Sequence, residues 1–150
     1  MAKKNKGINV VAALSKLLSD NYVLYLKTQN YHWNVTGPYF NTLHTMFQLQ
    51  YEDLALANDL IAERIRALGE KAPGSYAAFL KMTDVKEENG HPSATQMLKN
   101  LAKDQDTLVA AANAVLSAGQ AAGDEATVDL AIQRIQTHEK TRWMLKAHLE

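Results

Sequence analysis

The sequence predicts an all-α fold, a four-helix bundle with one long crossover that carries a short helix. Three observations carry that reading. Only seven Gly and three Pro occur in 150 residues, and they cluster at Gly37-Pro38, Gly69 to Gly74, Gly90 to Pro92 and Gly119 to Gly123, leaving long uninterrupted segments. Within those segments apolar residues recur at spacings of three and four, the period of a helix face, and no stretch alternates as a half-buried strand would. The links run short, long, short: the connection from Gly69 to His91, about 23 residues, is unusually long for a compact domain and can span a bundle.

Each element has its own local justification. The first helix, from about Ile8 to His32, sets Val11, Leu14, Leu18, Tyr22 and Tyr25 on one face. A second runs from about Asn41 to Leu68 without Gly or Pro, a length of about 40 Å. Ser75 to Lys81 makes a short helix inside the crossover. The third long helix starts at Pro92-Ser93, where Ser93 and Gln96 have capping-box spacing, and carries Met97, Leu101, Leu108 and Val115 to about Ser117. The fourth starts at Asp124 as N-cap and carries Val128, Ile132 and Ile135 toward Leu149. Residues 1–7 read as a basic flexible tail and residues 8–150 as one bundle domain.

Composition excludes several functions. Sixteen Lys and Arg balance sixteen Asp and Glu, so the chain is not a uniformly basic nucleic-acid binder. The absence of Cys removes thiol nucleophiles, disulfides and thiolate metal sites, so any metal chemistry rests on His and carboxylates. The apolar runs are too short for a membrane span or a secretory signal, and a cytoplasmic protein with no membrane partner is expected.

On the second helix, at about 100° per residue, Leu43, Phe47, Leu54, Ala57, Ile61, Ile65 and Leu68 fall within about 40° of one line. That is the bundle-facing stripe. His44, Gln48, Glu52, Asp59 and Glu63 gather on the other side. A solvated polar face explains them without chemistry. Asp59 and Glu63, four residues apart, also project toward one point and suit capture of a hard or borderline cation. His44 and Asp59 are separated by about 22 Å of helix rise, so one ion touches both only if two chains contribute. Two second helices packed antiparallel about a two-fold axis, crossing near Glu52, would bring His44 of one toward Asp59 and Glu63 of the other. His32, at the end of the first helix, reads either as a helix-end partner or as a group joining His44 across the short turn. The Glu88-Asn89-Gly90-His91 match to a Glu-x-x-His motif lies in a Gly-Pro turn and is read as accidental.

Asn30-Tyr31-His32-Trp33-Asn34-Val35-Thr36-Gly37-Pro38, then Leu43-His44, then Asp59-x-x-Ala62-Glu63-Arg64-Ile65-Arg66-x-Leu68-Gly69, together resemble the Dps family, the bacterial mini-ferritins. The similarity extends from about Leu17 to Leu149 and includes His138-Glu139-Lys140-Thr141-x-Trp143-Met144-Leu145. The resemblance implies a ferritin-like four-helix subunit, a shell of twelve copies and ferroxidase centres at two-fold interfaces. It implies His32 and His44 of one subunit acting with Asp59 and Glu63 of its mate, and Trp33 as a nearby redox-active aromatic. Its implied chemistry is oxidation of Fe(II) by hydrogen peroxide or oxygen, with Fe(III) stored inside and DNA protected from oxidative damage. Asp124 and Asp129 would flank an iron-entry pore, although an N-cap and a first-turn acid explain the same two residues. One departure stands out: position 48 is usually acidic in the family and here is Gln48, a weaker ligand without charge. Water or a shifted Glu52 would have to stand in.

Two other roles remain at this stage. Lys3, Lys4 and Lys6, repeated over a shell, would contact DNA phosphates through avidity and place the protein at the nucleoid. A purely structural shell, or one whose centres hold zinc or another divalent metal in place of iron, is also consistent, since affinity order does not favour Fe(II).

Overall fold

The computed structural model describes residues 2–150, with side chains from Val10 onward. Lys3, Lys4 and Lys6, and with them the expected tail of residues 1–7, lie outside the described side chains. Five helices follow in order: α1 (Ala2–Asn34), α2 (Phe40–Ala67), α3 (Tyr76–Met82), α4 (Ala94–Ala122) and α5 (Glu125–Ala147). No strand occurs among the described residues. None of these helices is long and apolar enough to cross a membrane.

The helix ends follow the local chemistry. Ser75, Ser93 and Asp124 cap α3, α4 and α5, their side chains accepting from the backbone N–H of Ala78, Gln96 and Thr127. Gly123 ends α4 in the left-handed region at φ 68°, and the Asp124 N–H reaches back to the Gly119 carbonyl at 2.8 Å. The α4 helix therefore runs five residues past the expected stop near Ser117. Gly119 does not break it, because a missing Cβ is what lets α5 approach: a Cβ there would stand 3.0 Å from Val128 Cγ2.

The crossover between α2 and α4 returns along the bundle. Tyr31 at the end of α1 bonds Asn100 near the start of α4, so α4 begins at the same end as α2. Two contacts hold the crossover down. Buried Asp20 of α1 accepts from the Thr83 hydroxyl and the Asp84 N–H, each at 2.8 Å, and pairs with Lys16. Tyr31 donates to Glu88 at 2.5 Å. Burial raises the Tyr31 hydroxyl well above its ordinary pKa, and the Glu88 contact adds to the rise.

The core is filled by Leu14, Leu17 and Leu24 of α1, Phe47, Ile61 and Ile65 of α2, Met97, Leu101 and Leu108 of α4, and Leu145 of α5. On α1, Tyr22 and Tyr25 sit half-buried at the flank of the expected face. The expected apolar face of α5 is rotated: Ile132 is 39% exposed, and the buried line is Thr127, Ala131, Arg134, His138 and Leu145. Polar groups occupy this line because they are partnered. His138 Nδ1 meets Gln105 Oε1 at 2.7 Å, which makes Nδ1 the protonated nitrogen. Its Nε2 then accepts from Arg134 at 3.2 Å, and Arg134 also pairs with Asp53 at 3.0 Å. Burial first, and the Arg134 charge second, hold His138 well below the ordinary histidine pKa, so it is neutral.

Candidate metal centre

The end of α1 and the start of α2 lock two histidines together. The last carbonyls of a helix have no partner within it, and one of these, the His32 carbonyl, receives His44 Nδ1 at 2.7 Å. The His44 carbonyl receives His32 Nδ1 at 2.6 Å. The rings stack at 3.8 Å with 13° between their planes. A carbonyl only accepts, so both Nδ1 atoms carry the proton, and in the neutral rings the Nε2 lone pairs are left for a ligand. His32 is buried and His44 half-buried.

Other side chains shape this pair. The Phe40 ring stacks on His44 at 5.0 Å, and Tyr51 meets His32 edge-on at 5.2 Å. The sequence reading did not single out either residue. A signal existed, since Phe40 and Tyr51 lie four residues before and seven after His44, on its own face of α2.

Gln48, one turn after His44, donates from Nε2 to Glu52 at 2.9 Å. The amide therefore holds a carboxylate one turn further along the same side. Asp59 and Glu63 are exposed near the far end of α2. Asp59 borders a cleft of about 570 Å³ with Tyr22, Tyr25, Asn58 and Tyr76. Among the described residues, no three His, Asp or Glu side chains gather on one subunit. The chain thus keeps the histidine pair apart from Asp59 and Glu63. Imidazole and carboxylate together suit a borderline first-row cation.

These features meet a clear set of relatives. Residues 11–150 match the Ferritin-like domain. The DNA protection during starvation protein of Porphyromonas gingivalis is 38% identical over 146 residues, covering 97% of this chain and 92% of its own length. The crystal structure of a Dps protein from Bacillus brevis matches with a TM-score of 0.94 at 34% identity, covering 97% of this chain and 98% of that one. This chain belongs to the Dps family. The Vibrio cholerae Dps, described as a member of a broad superfamily of ferritin-like diiron-carboxylate proteins, matches with a TM-score of 0.93 at 32% identity over 97% of this chain and 92% of that one. The general functions of the Dps family, iron storage and protection of DNA under stress, apply to this subunit.

The remaining expected residues fall in different settings in this Dps subunit. Asp124 is committed: it accepts from the Thr127 N–H and hydroxyl and pairs with Arg64 at 2.7 Å. Burial opposes its ionisation, but the bonds from Thr127 and Arg64 outweigh that and hold its carboxyl below the usual range. Asp129 is exposed and accepts from Gln133 at 2.9 Å. Trp33 is 59% exposed and lines a cavity of about 500 Å³ with Leu26, Lys27 and Tyr76. Glu88, the acid of the Glu-x-x-His match, holds down the crossover through Tyr31.

Proposed function

We propose that the chain is a ferroxidase subunit, in which His32 and His44 of one copy bind Fe(II) together with Asp59 and Glu63 of a second copy across a two-fold axis. The observation that carries this reading is the reciprocal pair of Nδ1 hydrogen bonds, which presents two Nε2 lone pairs with their tautomers already set. The separation of the carboxylates from the histidines, about 22 Å of helix rise, supports the second copy as their source. Closed association of such dimers into a shell of twelve gives Fe(III) an interior in which to collect.

Few protein ligands leave open positions for the oxidant, hydrogen peroxide or oxygen. Peroxide is the favoured one in this reading. Two Fe(II) ions then give one electron each, and two protons convert peroxide to two waters without releasing hydroxyl radical. Carboxylates stabilise the ferric product by charge. Glu52, held by Gln48, is the nearest carboxylate to stand in for the acidic residue usual at position 48. Zinc competes for the same donors. Asp129 is the better candidate for an iron-entry pore, because Asp124 already shares its charge with Arg64. DNA contact through Lys3, Lys4 and Lys6 is a separate proposal, tested by removal of residues 1–7.

The deciding experiment loads metal-free, size-checked protein with Fe(II) anaerobically, then adds peroxide, with air in a parallel sample. Expected is rapid oxidation at about two irons per peroxide, faster than in air and slowed in His32→Ala, His44→Ala and Asp59→Ala shells of unchanged size. A rate equal to that of free iron would overturn the reading and favour a structural or DNA-binding shell.

A further inference from the structure

The end of the crossover, just ahead of α4, holds a reactive pair of neighbours. Of the ten asparagines in the chain, Asn89 alone precedes a glycine, and it alone lies outside a helix. Both features favour attack of a backbone nitrogen on the preceding side-chain amide. In a helix that N–H is committed to the carbonyl four residues back, and glycine brings no Cβ to obstruct the closing ring. Asn89 and Gly90 are exposed in the subunit.

Glu88 stands at the nucleophile. The Gly90 N–H donates to Glu88 Oε2 at 3.0 Å, while Glu88 Oε1 accepts from Tyr31 at 2.5 Å. The Tyr31 bond, more than any other influence, holds the Glu88 carboxyl below its usual range, so it is ionised and able to take a proton. A proton acceptor placed on the attacking atom is the arrangement of general base catalysis. Tyr31 ties Glu88 to α1, and its hydroxyl in turn accepts from Asn100 of α4. The junction therefore sits on the α1–α4 side of the bundle, whereas the proposed two-copy centre uses the outer face of α2.

We propose that Asn89-Gly90 is a self-modifying junction in which Glu88 acts as the base, so that Asn89 converts with time to aspartate or isoaspartate. The Gly90 nitrogen attacks Asn89 Cγ as its N–H proton passes to Glu88 Oε2. A succinimide ring closes through the new N–C bond, the Cγ–Nδ2 bond breaks, and ammonia leaves with the proton that Glu88 held. Water then opens the ring at either carbonyl. The net change is one water consumed and one ammonia released, with no oxidation or reduction. The reaction calls on water alone, and on no metal or second protein. Its product sets a new carboxylate beside Glu87 and Glu88 and makes the formally neutral chain negative by one charge. Isoaspartate also lengthens the backbone between α3 and α4 by one carbon, at the point where Tyr31 and Glu88 hold the crossover down. Each subunit thus carries a chemical mark of its age on the crossover.

The test incubates the assembled protein and, in parallel, the same chain unfolded in urea, at one neutral pH and one temperature. Samples are digested at intervals, and mass spectrometry reads the conversion of every asparagine. In the folded protein position 89 is expected to convert at least as fast as in the unfolded chain, while the other nine asparagines stay as amides. Glu88→Gln keeps an acceptor for Tyr31 but offers Gly90 an amide, and should slow the folded reaction by about tenfold or more with little effect in urea. Gly90→Ala, whose Cβ would stand 3.4 Å from Glu88 Oε2 and so fits, should slow both. Helicity and particle size are checked for each variant. Asn89 that converts in urea but stays an amide in the assembled protein would overturn the proposal, because the fold would then shield the junction. Equal folded rates in wild type and Glu88→Gln would also overturn it, by removing Glu88 from the reaction.

Discussion

Lys27→Met tests the buried ion pair between α1 and α4. Lys27 Nζ stands 2.8 Å from Asp104 Oδ2, with the two side chains 7% and 10% exposed. Burial pushes the Asp104 carboxyl above its usual pKa, and the hydrogen bond and charge of Lys27 pull part of the way back. Methionine keeps most of the lysine stem's volume and removes only the compensating charge. A buried pair stripped of one partner loses about 3–5 kcal/mol, a large share of the roughly 5–15 kcal/mol that holds a typical domain folded. Asp104 escapes part of that cost by taking a proton, which gives the variant a pH signature. Its native carboxyl then binds protons that the unfolded chain, with its ordinary value near 3.9, does not. Stability conferred by this group is therefore fully present below the unfolded value and lost as pH rises through the raised native value. The deficit of the variant should be about 3–5 kcal/mol at pH 7 and smaller at pH 5, by up to about 1.4 kcal/mol for each pH unit inside the window. Urea unfolding followed by helical circular dichroism measures it, at one protein concentration because assembly shifts apparent stability. Adding Asp104→Leu should recover most of the loss, since apolar replacement of a whole buried pair is commonly neutral or better. A deficit under about 1 kcal/mol at pH 7, or one equal at both pH values, would refute the reasoning and show that Asp104 reaches water.

His138→Gln should flatten the acid limb of the stability curve. With its native pKa depressed by burial and by Arg134, His138 lends stability above the ordinary histidine value that is lost as pH falls below it, at up to about 1.4 kcal/mol per pH unit; equal slopes for wild type and variant would count against this. Gln48→Glu places like charge four residues from Glu52 and should cost the metal-free protein a few tenths of a kcal/mol, while raising the number of Fe(II) or Zn(II) ions bound per subunit in calorimetry. Unchanged stoichiometry would show that position 48 does not limit occupancy. Tyr31→Phe removes the bonds to Glu88 and Asn100 and should cost about 1 kcal/mol, with faster amide exchange confined to the crossover around residue 88.

Local signals in the sequence marked most of the helix ends. Ser75, Ser93 and Asp124 are short polar residues with a free N–H three positions on, and that geometry is readable from one strand of text. The bundle face of α2 was equally plain, because Leu43, Phe47, Leu54, Ala57, Ile61 and Ile65 repeat at the helical period and all are buried. The run of α4 through Gly119 was not legible, since only the arrival of Val128 from α5 explains a glycine there. Neither was the buried face of α5. Arg134 and His138 are polar, and only Asp53 and Gln105, from two other helices, satisfy them in the interior. At the candidate centre, the helix rise between His44 and Asp59 is legible in the sequence, but the exchange of carbonyls between His32 and His44 depends on the path of residues 35–39.

That exchange also bears on the order of events during biogenesis. Each histidine is oriented by the backbone of its own chain, so neither a neighbouring carboxylate nor a second copy is needed to aim the rings. In the proposed two-copy centre, a newly synthesised chain owns the histidine half as soon as the α1–α2 turn has closed. On that proposal assembly would supply the remaining half, and a mutation that slows association would leave the nascent chain with a weak, two-nitrogen grip on stray cations, without the means to turn them over.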